Sequence, residues 1–317
     1  MRVLPCFAAS SRGSAPRRKM EVRAADGTKR IDTDVLIVGG GLSGLSLARK
    51  LHRQRGSAPS FALLEARPRF GGRVLSELDQ SIGHADPEAA YDLGPSWFWP
   101  GQPRIEALLK ELRLGWYEQH ARGSLVIQTQ DGAVHTHPQK VGMMAGSRRI
   151  TGGTQALTAA LASSLPSKFL HRGHRVESVQ AAGPAEVLTT ARDGAGDVVK
   201  VHSKVVVLAL PPQVVEATIQ FHPALPSAAS EQLREIPTWM AAHAKVIAVY
   251  NRPFWREQGK SGDGMSYIGP LGEIHDASPA LGQSGALFGF VSTPAAERLE
   301  AEPGSLAASA VKQLAAM

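Results

Sequence analysis

Gly39, Gly41 and Gly44 stand at the spacing G-x-G-x-x-G, and Glu65 follows twenty-one residues after the third glycine. Residues of these types at this spacing suit the seating of a dinucleotide. The first glycine permits a tight turn, the second carries no Cβ to hold a pyrophosphate away, and the third lets a helix lie close on a strand. Main-chain N–H groups at the helix start, through Leu42, Ser43 and Gly44, would stabilise the phosphates, and Glu65 would accept hydrogen bonds from ribose hydroxyls. An acid at position 65 disfavours a 2′-phosphate, which leaves FAD or NAD. The continuation Glu65-Ala66-Arg67-Pro68-Arg69-Phe70-Gly71-Gly72-Arg73 adds a second glycine pair and arginines on the pyrophosphate side. An arginine fork suits phosphate geometry and keeps its proton, so this segment favours FAD.

Other reactive side chains point to little chemistry. His135 and His137 fall in an expected hairpin and His171 and His174 at a loop edge, without carboxylates at ligand spacing, so no metal site is expected. Ser43 and Ser96 lack the His and Asp of a hydrolase triad. Cys6 is the only cysteine, which excludes a disulfide scaffold and any multi-cysteine zinc site. It also makes a non-covalent FAD the expectation.

The elements that must position the glycines are legible around them. Asp34–Val38 is a short β-branched run of the kind buried on both faces of a parallel sheet. Leu42–Gln54 has helical spacing, and Phe61–Glu65 is a second apolar run, giving β–turn–α–β with a right-handed crossover. Further on, helices are expected at 103–112, 154–165 and 303–317. Asp131-Gly132 marks a hairpin between 124–129 and 133–136. Segments 175–179, 187–190 and 198–201 suggest an antiparallel meander, Lys204–Leu210 another buried strand, and His243–Tyr250 a strand before Pro253-Phe254-Trp255. The expected fold class is α/β: a Rossmann-like FAD domain of the glutathione-reductase type with a smaller α+β substrate domain. The FAD domain is assigned to 31–96 and 150–236, the substrate domain to 97–149 and 237–317, and 1–30 to a disordered leader.

The chain has 317 residues, 43% hydrophobic and 20% charged, with a formal charge of +7. That length suits about two domains, and no stretch approaches the roughly 18 apolar residues of a membrane span. Five of the positive charges, Arg2, Arg12, Arg17, Arg18 and Lys19, sit in an acid-free stretch at the start. The body is nearly neutral, and nucleic acid is not an expected partner. The stretch fits a disordered leader before a start at Met20, or an organellar transit segment; it lacks the apolar core of a secretory signal. A cytoplasmic location is expected, with the organelle as the alternative.

Four segments in order resemble the FAD-dependent amine oxidase family, of the monoamine and polyamine oxidase type. Asp34–Gly44 with Glu65–Arg73 is similar to its FAD fingerprint. Tyr91-Asp92-Leu93-Gly94-Pro95-Ser96-Trp97 resembles the loop whose backbone runs beside the flavin ring. Arg149-Ile150-Thr151-Gly152-Gly153, the helix after it and Val176 resemble the segment returning to the adenine half. Ala244-Lys245-Val246 through Pro253-Phe254-Trp255-Arg256 resembles the strand that ends in P-F-W and carries a lysine under flavin N5.

The resemblance implies that Lys245 is catalytic, holding a water near N5 while hydride leaves the carbon next to an amine, with O2 reoxidising the flavin to give H2O2. Alternation alone would equally read Lys245 as a strand-end lysine reaching solvent. Trp97, Phe98 and Trp99 would pack on the flavin, line an amine pocket or serve as plain core. Two departures stand out: only 54 residues separate Trp97 from Gly152, as in short bacterial members, and nothing near Met317 resembles the family's last FAD segment, so an incomplete chain is expected. A desaturase or protoporphyrinogen-oxidase-like enzyme, or a fragment binding FAD weakly, are the alternatives to amine oxidation.

Overall fold

The computed structural model describes residues 22–23, 28–54, 58–78, 90–139, 141–280, 284–302 and 304–317; Cys6 and the basic leader lie outside them. Four parallel strands form the sheet that carries the glycine turn: β1 (Val35–Val38), β2 (Phe61–Glu65), β3 (Leu170–Arg172) and β4 (Val205–Leu208), in the order β3–β2–β1–β4. The continuous apolar runs of β1 and β2 are explained by what covers them. Leu36, Val38, Ala62 and Leu64 face the meander strands, packing on Val176, Ala191, Val199 and Val201. Ile37, Phe61 and Leu63 face the other way, onto Leu45 and Ala48 of helix α1 (Leu42–Arg53) and Leu161 of the helix Gln155–Ser163. With both faces covered, alternation disappears and a pure hydrophobic run remains.

The meander is present as Arg175–Gly183, Glu186–Arg192 and Val198–Ser203, extended by parallel pairing with Lys29–Asp32 and Gln220–His222. Expected burial fails at β4. Val205 is 50% exposed and Val206–Leu208 are half-buried, because β4 is an edge strand, paired among the described residues only with β1.

The second large sheet joins segments distant in sequence. Its order is β5 (Lys245–Tyr250), β8 (Gly285–Val291), β7 (Leu271–Asp276), β6 (Lys260–Ser266), then Ser124–Gln128 and Val134–His137. The hairpin at Asp131-Gly132 forms as expected, with Gly132 at φ +86° and the Asp131 carboxylate accepting from Thr129 and Ala133. The strand expected at 243–250 begins at Lys245, and the last helix runs Ser305–Ala316, packing Ala310 on Leu271 and Ile274. No helix among the described residues is long and apolar enough to cross a membrane.

Gly44 sets the distance between α1 and β1: a Cβ there would lie 1.9 Å from the Gly39 carbonyl oxygen. That oxygen is backbone and cannot yield cheaply. Gly44→Ala should therefore lower unfolding stability by about 1–3 kcal/mol, read from urea unfolding with and without added FAD.

Candidate functional site

The glycine turn leaves β1 through Gly39, held at φ +109°, whose N–H donates to the Leu64 carbonyl at 2.8 Å. The next N–H, of Gly40, donates to Glu65 Oε2 at 2.7 Å, while Arg67 N–H donates to Oε1 at 2.9 Å. Glu65 is buried, 7% exposed, and each of its oxygens keeps a lone pair beyond the backbone donor it already accepts. Gly71 N–H donates to the Gly40 carbonyl, and a Cβ on Gly72 would touch Gly41 Cα at 3.3 Å, so the two glycine turns lie against one another. At Gly41 itself a Cβ would meet nothing within 4 Å, and α1 begins with no side-chain cap and no acid in its first turn. The result is an open turn at a helix start that no side chain caps, a fit for a pyrophosphate.

The arginines divide. Arg69 turns back on its own loop, donating to the Gly72 carbonyl at 2.9 Å. Arg67 and Arg73 are exposed, as are Ala66 and Ser43; Leu42 is half-buried. His174 N–H donates to the Glu65 carbonyl, which brings the start of the meander to the ribose side. The Val176 side chain is in the core, so only its main chain can face a ligand, and the strand bulges directly after it.

The loop 92–97 ties the two sheets together. Asp92 is 2% exposed and its Oδ1 accepts from Ser76 Oγ (2.6 Å), Thr154 N–H (2.7 Å) and Thr154 Oγ1 (2.8 Å). Gly94 is required because a Cβ would strike the Arg73 carbonyl at 2.3 Å; the close approach there is to the chain itself. Pro95 is exposed, Ser96 buried and Trp97 half-buried, its Nε1–H donating to Gln119 Oε1 at 2.9 Å. Phe98 is core and Trp99 is 42% exposed.

Lys245, the first residue of β5, is half-buried and turns its ammonium inward onto the loop 92–97. Its Nζ donates to the Asp92 carbonyl (3.1 Å), the Gly94 carbonyl (2.9 Å) and Ser96 Oγ (3.0 Å), which occupies all three ammonium protons. The ammonium also lies over the Phe288 ring at 4.3 Å. Burial pushes its pKa down to about 8; Asp92 acts against that and Arg149 adds to it.

Two features have little signal in sequence. Arg149 is 3% exposed and donates through Nη1 to the Ser278 carbonyl, yet its Nε, like Asp92 Oδ2, has no partner among the described residues. Such orphaned buried atoms mark places where a ligand or water belongs. The P-F-W-R segment works at a distance from the loop: Trp255 Nε1–H and a bidentate Arg256 both hold Asp276, 1% exposed, at 2.8–2.9 Å. Of the histidines, His135 and His137 lie on an exposed strand; no metal-ligand cluster occurs among the described residues.

Comparison with known proteins decides the family. Residues 116–317 match the model of the flavin containing amine oxidoreductases, and residues 37–112 match that of an NAD(P)-binding Rossmann-like domain. The chain belongs to the flavin-containing amine oxidoreductases. It is a flavin-dependent amine oxidase, and its cofactor is FAD. Putrescine oxidase of Kocuria rosea is 25% identical over 85% of this chain and 75% of its own length. Human amine oxidase [flavin-containing] B is 41% identical over a shorter stretch, 27% of this chain and 15% of its own. The solved structure of putrescine oxidase bound to putrescine superposes with a TM-score of 0.74 at 21% identity, over 90% of this chain and 82% of that one. Cyclohexylamine oxidase from Brevibacterium oxydans superposes equally well at 18% identity, over 89% and 80%. At these identities the superpositions establish the fold.

The buried ammonium predicts a pH dependence. The folded pKa of about 8 lies below the ordinary value of 10.5, so between those pH values the unfolded chain binds more protons and stability rises with pH. The cost of the buried charge is present in full below that window. Urea unfolding of the wild type and of Lys245→Met from about pH 7.5 to about pH 9.5 should show the wild type gaining on the variant. A constant difference would mean that Lys245 is not buried as an ammonium.

Proposed function

We propose that this amine oxidase takes a small primary or secondary amine, that FAD is bound non-covalently, and that O2 is the acceptor. FAD, when bound, would supply the redox chemistry, acceptance of a hydride from the carbon bearing the nitrogen and return of the electron pair with protons to O2 as H2O2. The imine released hydrolyses to an aldehyde or ketone. The observation that carries the reading is Lys245, a buried cation on the loop 92–97 in a chain of this family.

Gly39, Gly41, Leu42, Ser43 and Gly44 would cradle the pyrophosphate, with Glu65, Ala66 and Arg67 at the ribose, Gly72 and Arg73 on the outer side, and the Val176 main chain near the adenine. The uncapped helix start and the open space at Gly41 support this assignment. Gly94, Pro95, Ser96 and Trp97 would lie along the flavin ring. Lys245 and Arg149 make the ring's surroundings cationic, which disfavours an ammonium and favours the neutral amine, the form able to release hydride. With its pKa near 8, Lys245 can hold or release a proton at Nζ near neutral pH. We further assign 31–96 and 150–236 to FAD and 97–149 and 237–317 to substrate. The parallel sheet draws its strands from the first set and the second sheet from the other.

Anaerobic addition of small amines to the FAD-loaded protein should bleach its flavin absorbance; no bleaching across a broad panel would remove the substrate class. Lys245→Met should slow that reduction by about 100-fold or more. Gly41→Val offers a cleaner test of the cradle. A Cβ at this position meets no described atom within 4 Å, so unfolding stability should stay within about 0.5 kcal/mol. FAD affinity should fall by roughly tenfold or more, measured by flavin release on dilution.

A further inference from the structure

His275, on β7, is fully buried at 0% exposure, and both of its ring nitrogens face carboxylates. Nδ1 lies 3.0 Å from Asp263 Oδ1 on β6, and Nε2 lies 2.7 Å from Glu273 Oε1 on its own strand. A neutral imidazole carries one proton and would aim its other lone pair at a carboxylate oxygen. The carboxylates do not offer protons instead. Asp263 is 1% exposed, and although burial alone would raise its pKa, His275, the Met143 N–H and Gln139 more than offset this and hold it below the usual range. Glu273 presents its carboxylate to the ring from the same strand, with its side chain 40% exposed.

The remaining charges around the ring do not remove the need for a cation. Asp276, one residue on, is neutralised by the bidentate Arg256. His120, near Asp263 and Asp276, has its pKa pushed down by burial and by Arg256. Lys245 sits across the Phe288 ring, bonded to its own three acceptors. The imidazole is fixed at both nitrogens, so it cannot rotate, and two aromatic side chains rest on it: Trp97 edge-on at 5.2 Å and Phe288 tilted at 5.4 Å. Phe288 is the ring beneath the Lys245 ammonium and Trp97 belongs to the loop 92–97, and the two rings touch one another at 5.2 Å.

We propose that His275 is a positioning residue, an imidazolium clamped between Asp263 and Glu273 that holds in place Trp97 of the loop 92–97 and Phe288, the ring beneath Lys245. Its two hydrogen bonds are charge-assisted. The link to turnover rests on the amine oxidase site proposed above; the clamp itself does not.

The full chain labelled with 15N-histidine tests the clamp without substrate. One ring, identified by its loss in His275→Gln, should show both nitrogens protonated from neutral pH to about pH 9. A neutral tautomer at neutral pH would overturn the proposal. Glu273→Gln keeps the shape and removes one charge, so His275 should then lose a proton within the same range. The fluorescence of Trp97 should step with that loss, and the step should be absent in the wild type and in Glu273→Gln combined with Trp97→Phe. Deprotonation in Glu273→Gln without any Trp97 response would overturn the positioning role. If no amine bleaches the flavin, the substrate reading falls while these two readouts still decide the clamp.

Discussion

The ammonium of Lys245 is the point through which the two sheets are joined. It enters from the first residue of β5 and ends on three acceptors of the loop 92–96, residues some 150 positions earlier in the chain. From that loop the Asp92 carboxylate continues to Thr154, where the helix Gln155–Ser163 begins, and that helix packs on the parallel sheet. The second sheet, the loop and the Rossmann-like layer therefore share one polar line. Burying a cation is costly, which the lowered pKa records. It persists because every proton is accepted and an aromatic face lies alongside. Removing the side chain would leave two carbonyls and a hydroxyl short of a donor at the place where the flavin ring is proposed to lie.

Three glycines that look alike in sequence have different physical reasons. Gly44 is required by the Gly39 carbonyl, Gly94 by the Arg73 carbonyl, and Gly41 by no neighbour among the described residues. A residue constrained by no neighbour in the chain is explained most simply by a ligand that must approach it. The same contrast separates the arginines: Arg69 is committed to its own turn, whereas Arg67 and Arg73 are exposed.

Much of the Rossmann-like half was legible because its signals are local. The run Val35–Val38, the glycine spacing, the helix from Leu42 and the acid at Glu65 lie within one β–α–β unit. The meander and the 131–132 hairpin were visible for the same reason. The strands β6, β7 and β8 were not, since Gly262, Gly264, Gly272, Gly285 and Gly289 lower strand propensity and break alternation. Three of those glycines are demanded by tertiary packing: Gly262 by Trp255 and Asp276, Gly285 by Pro253, and Gly289 by Leu271. Lys245 was legible only through its distance from P-F-W, and the partners of Trp255 and Arg256 not at all, because Asp276 lies on another strand. The clamp on His275 has no sequence signal either; Asp263 and Glu273 flank it at spacings that match no known ligand or triad pattern. The misjudged burial of β4 has the opposite cause: a valine run looks the same on a central strand and on an edge strand.

The claim that Lys245 organises the site is tested most directly by hydrogen exchange at the loop it holds. The main-chain amides of Leu93, Gly94, Ser96 and Trp97 should exchange at least about tenfold faster in Lys245→Met than in the wild type, while those of β1 and β2 keep their protection. Equal protection of the loop in both proteins would show that the ammonium does not hold it, and would contradict the account.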